Sequence, residues 1–558
     1  MLFGIAMLAL SGRAAAEPPS RAARLSEIRG TVSFSPAGQP DWVRAVTNRP
    51  LTTGDRLWVG ANSRAELQVG GAAIRLGGGT SVILLNLDDR IAQVQLSQGT
   101  LKARVRRIGR NQAFEVDTPN LALFLRRPGE FRINVDPNED ATAVTLYSGR
   151  AEVYGEGASW ALNTQQGYRF YGTDLTDYER LAARREDDLD RWARERDQRA
   201  DNSRSARYVS SEVVGYEDLD VYGTWRSDPA YGNVWTPNRV PSGWSPYRDG
   251  HWAWIDPWGW TWVDDAPWGY AVSHYGRWAN IRGTWSWVPG PTREPAVYAP
   301  AQVAFVGGQN LQGSAAVAGV AVAAIIGWFA LAPREVYRPS YPVSRGYFER
   351  INRSNAVVAP AAITNVYNTN ITNITTNTTI VNSPAAPRVV YANQRVAGGV
   401  VAVPAQAFAQ SQPVAKAAVP VSNEAAARAP AAPVPAVAPV QQSLQGGAPS
   451  AGARPPARER PVVARNSPPP PPVAFAAQQQ QLAAKPGTPI GEAERNQLKP
   501  AATSAPNVSV VKTAQAPAPS APPPATPPAP KSPEARKADA AKADAARPDA
   551  ARGEPGKA

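Results

Sequence analysis

At 558 residues and a formal charge of +13, with no cysteine and two histidines, the chain excludes disulfides, thiolate metal sites, cysteine nucleophiles and a lipid-anchored N-terminal cysteine. A metal site on His251 and His274 would need carboxylates to complete it. Length alone allows three or four domains, but residues 381–558 hold 33 of the 55 prolines and no tryptophan, which reduces the count to two structured domains and a long tail.

Leu2–Leu10 is a short apolar run, and Ala14-Ala15-Ala16 precedes Glu17 as a cleavage site would. Residues 1–16 therefore read as a secretory signal, too short to span a bilayer. Residues 22–172 alternate with period two, as in Ala65-Glu-Leu67-Gln-Val69 and Phe131-Arg-Ile133-Asn-Val135, with breaks at Gly30, Gly54, Gly70, Gly99, Gly129 and Gly149. Short strands punctuated by glycine turns predict a β-sandwich or roll. In Leu101–Arg107, Lys102, Arg104 and Arg106 share one strand face. They form either a basic stripe for an anionic partner or, as the favoured reading, a solvated face or a charged edge that blocks aggregation.

The order of Gly30-Thr-Val, Leu51…Gly54-Asp55-Arg-Leu57, Ala65-Glu-Leu67, Gly99-Thr-Leu101, Phe114-Glu-Val-Asp-Thr118-Pro119, Gly129-Glu-Phe131 and Gly149-Arg-Ala151 resembles the FecR-type periplasmic domain over about residues 25–155. The resemblance implies a β-rich, exported, non-catalytic interaction domain. In the family's founding members that domain relays a signal from an outer-membrane transducer to a sigma factor.

Residues 174–202 are expected to form a charged helical linker. Thr176-x-x-Glu179 reads as its capping box, and Leu175, Tyr178, Leu181, Ala182, Leu189 and Trp192 as an apolar stripe. Tyr222–Pro289 then carries 12 of the 17 tryptophans. Gly223-Thr-Trp225, Gly250-His-Trp252 and Gly276-Arg-Trp278 each lead to a second tryptophan cluster, with the leading glycines 27 and 26 residues apart. Such spacing marks a repeat, with one hairpin per unit. Ala315–Ala332 is apolar and long enough to span a membrane, but its alanine-rich composition favours a buried strand or helix.

Tyr222–Trp225, Asp256-Pro-Trp-Gly-Trp-Thr-Trp262, Ala266-Pro-Trp-Gly-Tyr270, Trp285–Gly290 and Gly327–Tyr337 resemble an uncharacterised Trp/Tyr-rich bacterial domain over about 208–410. The resemblance implies export and architecture without an assigned chemistry. The Asn/Thr tract at 364–382 reads as polar strand or loop. Residues 411–558 form a Pro/Ala-rich disordered tail; residues 401–558 carry 17 Lys+Arg against 9 Asp+Glu, a balance that draws a chain to polyanions.

The fold class expected is thus mainly β: a FecR-like sandwich or roll, a charged helix, a Trp-rich repeat domain and a disordered tail. Trp254, Trp258 and Trp268 are the rings expected to face outward for a ligand, with Asp256 and Asp264 nearby to bind hydroxyls. Asp249 and Asp265 belong to the same acidic set, and Asp256 paired with Asp264 or Asp265 would suit a hydrolase. As these aspartates occupy turn positions that backbone chemistry explains, the chain reads as a non-enzyme without cofactor or metal. It is expected to be exported to the periplasm of a Gram-negative cell and to act as an interaction or scaffolding module. Its partner would be an envelope protein or a cell-wall or anionic polymer, not nucleic acid. Membrane association would come through the basic tail or Ala315–Ala332. FecR-type signal relay is the alternative function, and a carboxylate-dependent hydrolase the second.

Overall fold

The computed structural model describes residues 17–136, 138–182, 184–307, 311, 324–375, 390–447, 452–455, 460–498 and 508–511. The signal-like segment 1–16, most of the apolar run before Ala324, the end of the Asn/Thr tract and residues 512–558 lie outside them. Among the described residues strand exceeds helix, 36% to 20%, so the fold is mainly β.

The period-two region folds as one sheet system of fifteen strands. Its main path runs Asp177–Leu181, Gln166–Tyr171, Ala141–Gly155, Ala122–Asp136, Ala113–Asp117, Ile91–Val105, Ala72–Leu76, Arg64–Val69, Ala23–Arg29 and Pro50–Leu51. Nearly all pairings are antiparallel; Ala113–Asp117 runs parallel to Ile91–Gln95. Alternation sorts the side chains. Phe131, Ile133 and Val135 join Leu101, Ala103 and Val105 in the buried core, while Arg132, Lys102 and Arg104 take the opposite face.

The helix covers that opposite face, and it starts later than the sequence suggests. Asp177–Leu181 is an edge strand paired with Gly167–Tyr171, so Thr176-x-x-Glu179 is not a cap. Pairing with a neighbour outweighs a purely local signal. The helix is Asp188–Asp201, and its capping box is Asp187 with Asp190: the Asp190 N–H donates to Asp187 at 3.0 Å, and the Asp187 N–H to Asp190 at 3.1 Å.

The Trp-rich region forms one hairpin per repeat: Gly223–Asp228 with Gly232–Pro237, Gly250–Ile255 with Gly259–Asp264, and Arg277–Ile281 with Thr284–Val288. Tryptophans face each other across the strands, as Trp225 with Trp235, Trp252 with Trp262, Trp254 with Trp260 and Trp278 with Trp287. The glycine that opens each repeat has a steric cause. A Cβ on Gly223 would lie 2.1 Å from the Trp235 ring, one on Gly250 2.6 Å from the Trp262 ring, and one on Gly276 2.5 Å from Trp287 Nε1. Only a glycine lets the indole of the returning strand lie against the backbone opposite it.

A further sheet, in the order Val401–Pro404, Ile325–Ala330, Val303–Val306 and Ala431–Ala432, closes the aromatic core. The described end of the apolar run, Ile325–Ala330, is thus a buried strand. Among the described residues no helix is long and apolar enough to cross a membrane. Pro360–Thr375 is helical, not the strand or loop expected for the Asn/Thr tract. Pro360 suits the first helical position, where no N–H is needed, and Ala361 and Ala362 are strong helix formers.

Parts of the Pro/Ala-rich region pack as well. Val414, Leu444, Phe475, Leu482 and Ile490 join the tryptophan core. Isolated apolar residues between prolines suffice where a preformed groove supplies the other side of the contact.

Candidate functional site

The basic stripe is built on central strands, not on an edge. Across it lie the acidic residues of the Asp188–Asp201 helix. Lys102 Nζ is 3.1 Å from Asp190 and 2.8 Å from Glu130; Arg104 is 2.7 Å and Arg106 2.9 Å from Asp201. Arg75 and Arg132 extend the array. Arg75 makes two bonds to Asp197, at 2.9 and 3.0 Å, and one to Glu66 at 2.9 Å, and Arg132 contacts Asp190 at 3.0 Å. The anion that meets Lys102, Arg104 and Arg106 is the chain's own helix. Although Glu66 is buried, which by itself would raise its pKa, Arg75 and Arg196 hold its carboxyl down at about 2.

The rings expected outward are buried: Trp254 is 3%, Trp258 0% and Trp268 7% exposed. The reason is cover from distant chain. Pro489 approaches the Gly259 turn beside Trp254, Trp258 packs on Tyr298, and Trp268 lies between Trp235 and Trp244.

The acidic residues serve those indoles. Trp254 Nε1 donates to Asp256 at 3.2 Å, Trp262 Nε1 to Asp264 at 2.8 Å, and Trp244 Nε1 to Asp249 at 3.0 Å. Gln478 donates to the other Asp256 oxygen at 3.3 Å. Asp264 also accepts from the Ala266 N–H at 2.9 Å, and burial pushes its carboxyl up to about 7. Asp265 and Asp249 add to the rise, and the Asp264 oxygens accept from the ring, backbone and Ser273 hydroxyl donors around them. His274 is buried, bonded to the Ala299 carbonyl at 2.8 Å, and held neutral by desolvation, its pKa lowered to about 3. Asp265 lies 3.8 Å from His251. Among the described residues no cluster of three or more His, Asp or Glu is arranged to hold a metal ion.

The feature that sequence reading misses is the junction of the two domains. Arg24, on the first strand, is 2% exposed and reaches five partners, one of them Gln68 at 3.3 Å. It pairs with Asp218 at 2.7 Å, donates to the Pro267 carbonyl at 2.8 Å and to Asn48 at 2.9 Å, and lies 5.5 Å over the Tyr270 ring. Asn48, in the left-handed conformation at φ 63°, passes the link on by donating to the carbonyls of Asp264 at 3.0 Å and Ala266 at 2.7 Å. Gly215 leaves the space Arg24 needs, since a Cβ there would sit 2.5 Å from its guanidinium. No local signal marks Arg24, which reads as one charged residue in an alternating strand.

Beside this junction opens a cleft of about 810 Å³. Its apolar wall includes Val69, Val105 and Phe114 from the sheet, Ile108 from the loop beyond it and Val297 from the second domain, with Arg21, Arg107 and Arg293 also lining it. A volume in this range, at a domain boundary, is typical of ligand sites. A much smaller pocket, of about 10 Å³, lies beside Trp252 and Trp260.

Residues 55–152 match the family described as FecR protein, and residues 216–335 match a family of unknown function, DUF6600. Among solved structures, two crystal structures of a protein from Parabacteroides distasonis, provisionally described as an anti-sigma factor, are similar at 16% and 15% identity. Each match covers 23% of this chain and 60% of that one, at a TM-score of 0.21. The chain thus matches less than two thirds of their length. No curated protein is significantly similar.

Proposed function

We propose that this chain, a FecR domain followed by a DUF6600 domain, is an exported, non-enzymatic regulatory component of the cell envelope that relays a signal through protein contact. The observation that carries the reading is the buried link of Arg24 to Asp218 and of Asn48 to Asp264 between the two domains, placed in a chain whose first domain is of the FecR family. A partner held by one domain would be registered by the other, since the pair cannot turn independently without breaking a desolvated ion pair. Scaffolding remains the second reading, and the same rigid link favours it. The outward aromatic platform has no support, because the rings chosen for it are covered.

Deleting the gene and measuring transcripts tests the relay. Relay predicts a narrow set of genes that changes, restored by the wild-type chain but not by an Arg24→Ala chain of equal abundance. An intact transcriptome with a weakened envelope would overturn relay in favour of scaffolding.

A further inference from the structure

Val462–Ala464 forms a short strand laid against the FecR sheet. The Val463 N–H donates to the Thr118 carbonyl at 2.9 Å, and Arg465 lies 4.1 Å over the Phe124 ring. Glu115 secures the chain beyond the strand by accepting from the Arg465 and Asn466 N–H groups at 2.7 and 3.0 Å. This strand is firmly seated, and its own far edge is filled by a second segment. Val508–Val510 pairs with it in parallel, in the register Val462 to Val508 and Ala464 to Val510.

The second segment is held lightly. Its register partners all lie in Val462–Ala464, and the Val511 N–H adds one bond to the Ala464 carbonyl at 2.9 Å. Ser509 is exposed and Val510 is 44% exposed. Its one buried side chain is Val511, which completes a small cluster with Ala122, Tyr154 and Val463. A parallel pair this short, with one apolar anchor, contributes little beyond the ordering entropy it costs.

We propose that the outer edge of Val462–Ala464 is an acceptor for an extended segment of a partner protein, and that Val508–Val511 occupies it as an intramolecular placeholder. The segment that fits is read from the one in place. It runs parallel, is β-branched so as to hold an extended backbone, and carries an apolar residue where Val511 enters the Ala122–Tyr154 cluster. Main-chain bonds supply the affinity and that pocket the specificity, as in other strand additions.

The test uses full-length protein and a fluorescein-labelled peptide of residues 505–513 as probe, followed by anisotropy. A tethered placeholder competes at an effective concentration on the order of millimolar. Accordingly Val511→Asp, and independently Ser509→Pro, should bind the peptide at least about two-fold more tightly than wild type. A peptide carrying aspartate at the Val511 position should not bind. Equal binding to wild type and both variants, or none to either variant, overturns the proposal. So does a wild-type dimer, seen by light scattering and lost in Val511→Asp, which would assign the edge to a second copy of the chain.

Discussion

Arg24 and Asp218 lie 2.7 Å apart, and both are almost wholly withdrawn from water. They belong to different domains, so the pair is the electrostatic part of the junction. Without Arg24 the buried Asp218 carboxylate keeps Arg199, 2.5 Å away, so the cost stays below that of a wholly unpaired buried charge. Arg24→Ala should therefore lower the unfolding free energy by about 1–3 kcal/mol. It should also split a single unfolding transition into two, as monitored by tryptophan fluorescence and far-UV circular dichroism together.

The tryptophans of the second domain should behave as core. Emission of the native protein should be blue and should not respond to soluble glycans or peptidoglycan fragments. Trp258→Ala should cost about 3–5 kcal/mol by denaturant titration, the range for a large buried ring. A red-shifted spectrum that moves on adding glycan would return these rings to a binding role.

The helix over the basic stripe is held by acids that share their cations. Asp197 contacts Arg75 at 2.9 Å and Arg106 at 2.8 Å. Asp197→Ala leaves the buried Arg75 with Glu66 alone, so amides of Asp188–Asp201 should exchange faster than in wild type. High salt should weaken docking only slightly, because buried pairs are poorly screened.

Stability should fall from about pH 4 to pH 7 through Asp264 and Asp55. Burial raises their carboxyls to about 7 and about 6 in the folded chain. In that window the folded state keeps a proton that the unfolded state has lost, so raising the pH favours unfolding. For Asp264 the effect is on the order of a few kcal/mol. Glu66 acts oppositely and below this range: its depressed pKa contributes stability that is lost as pH falls from about 4.5 toward 2. Asp264→Asn should flatten the difference in unfolding free energy between pH 5 and pH 8. An unchanged difference would remove Asp264 from this account.

Alternation along residues 22–172 and the glycine-led repeat of Tyr222–Pro289 are enough to read the strands and the three hairpins, because both are local patterns. Burial of Trp254, Trp258 and Trp268 is not readable, because Pro489 and Tyr298 lie far along the chain from the rings they cover. The helix start shows the same limit in reverse. Thr176-x-x-Glu179 satisfies a capping rule, yet Asp177–Leu181 finds a strand partner in Gln166–Tyr171. The junction leaves no trace at all, since Arg24 and Asn48 are ordinary residues until two domains meet around them.

Phe408, Leu444 and Phe475 finish a core whose hairpins lie far earlier in the chain. Synthesis runs from the N-terminus, so the indoles are made long before their cover. During that interval the newborn chain carries an unusually dense greasy surface, and holdase chaperones would be its natural companions. A ribosome that stops short of residue 408 would release a polypeptide able to form its FecR sheet but prone to clump through its second half.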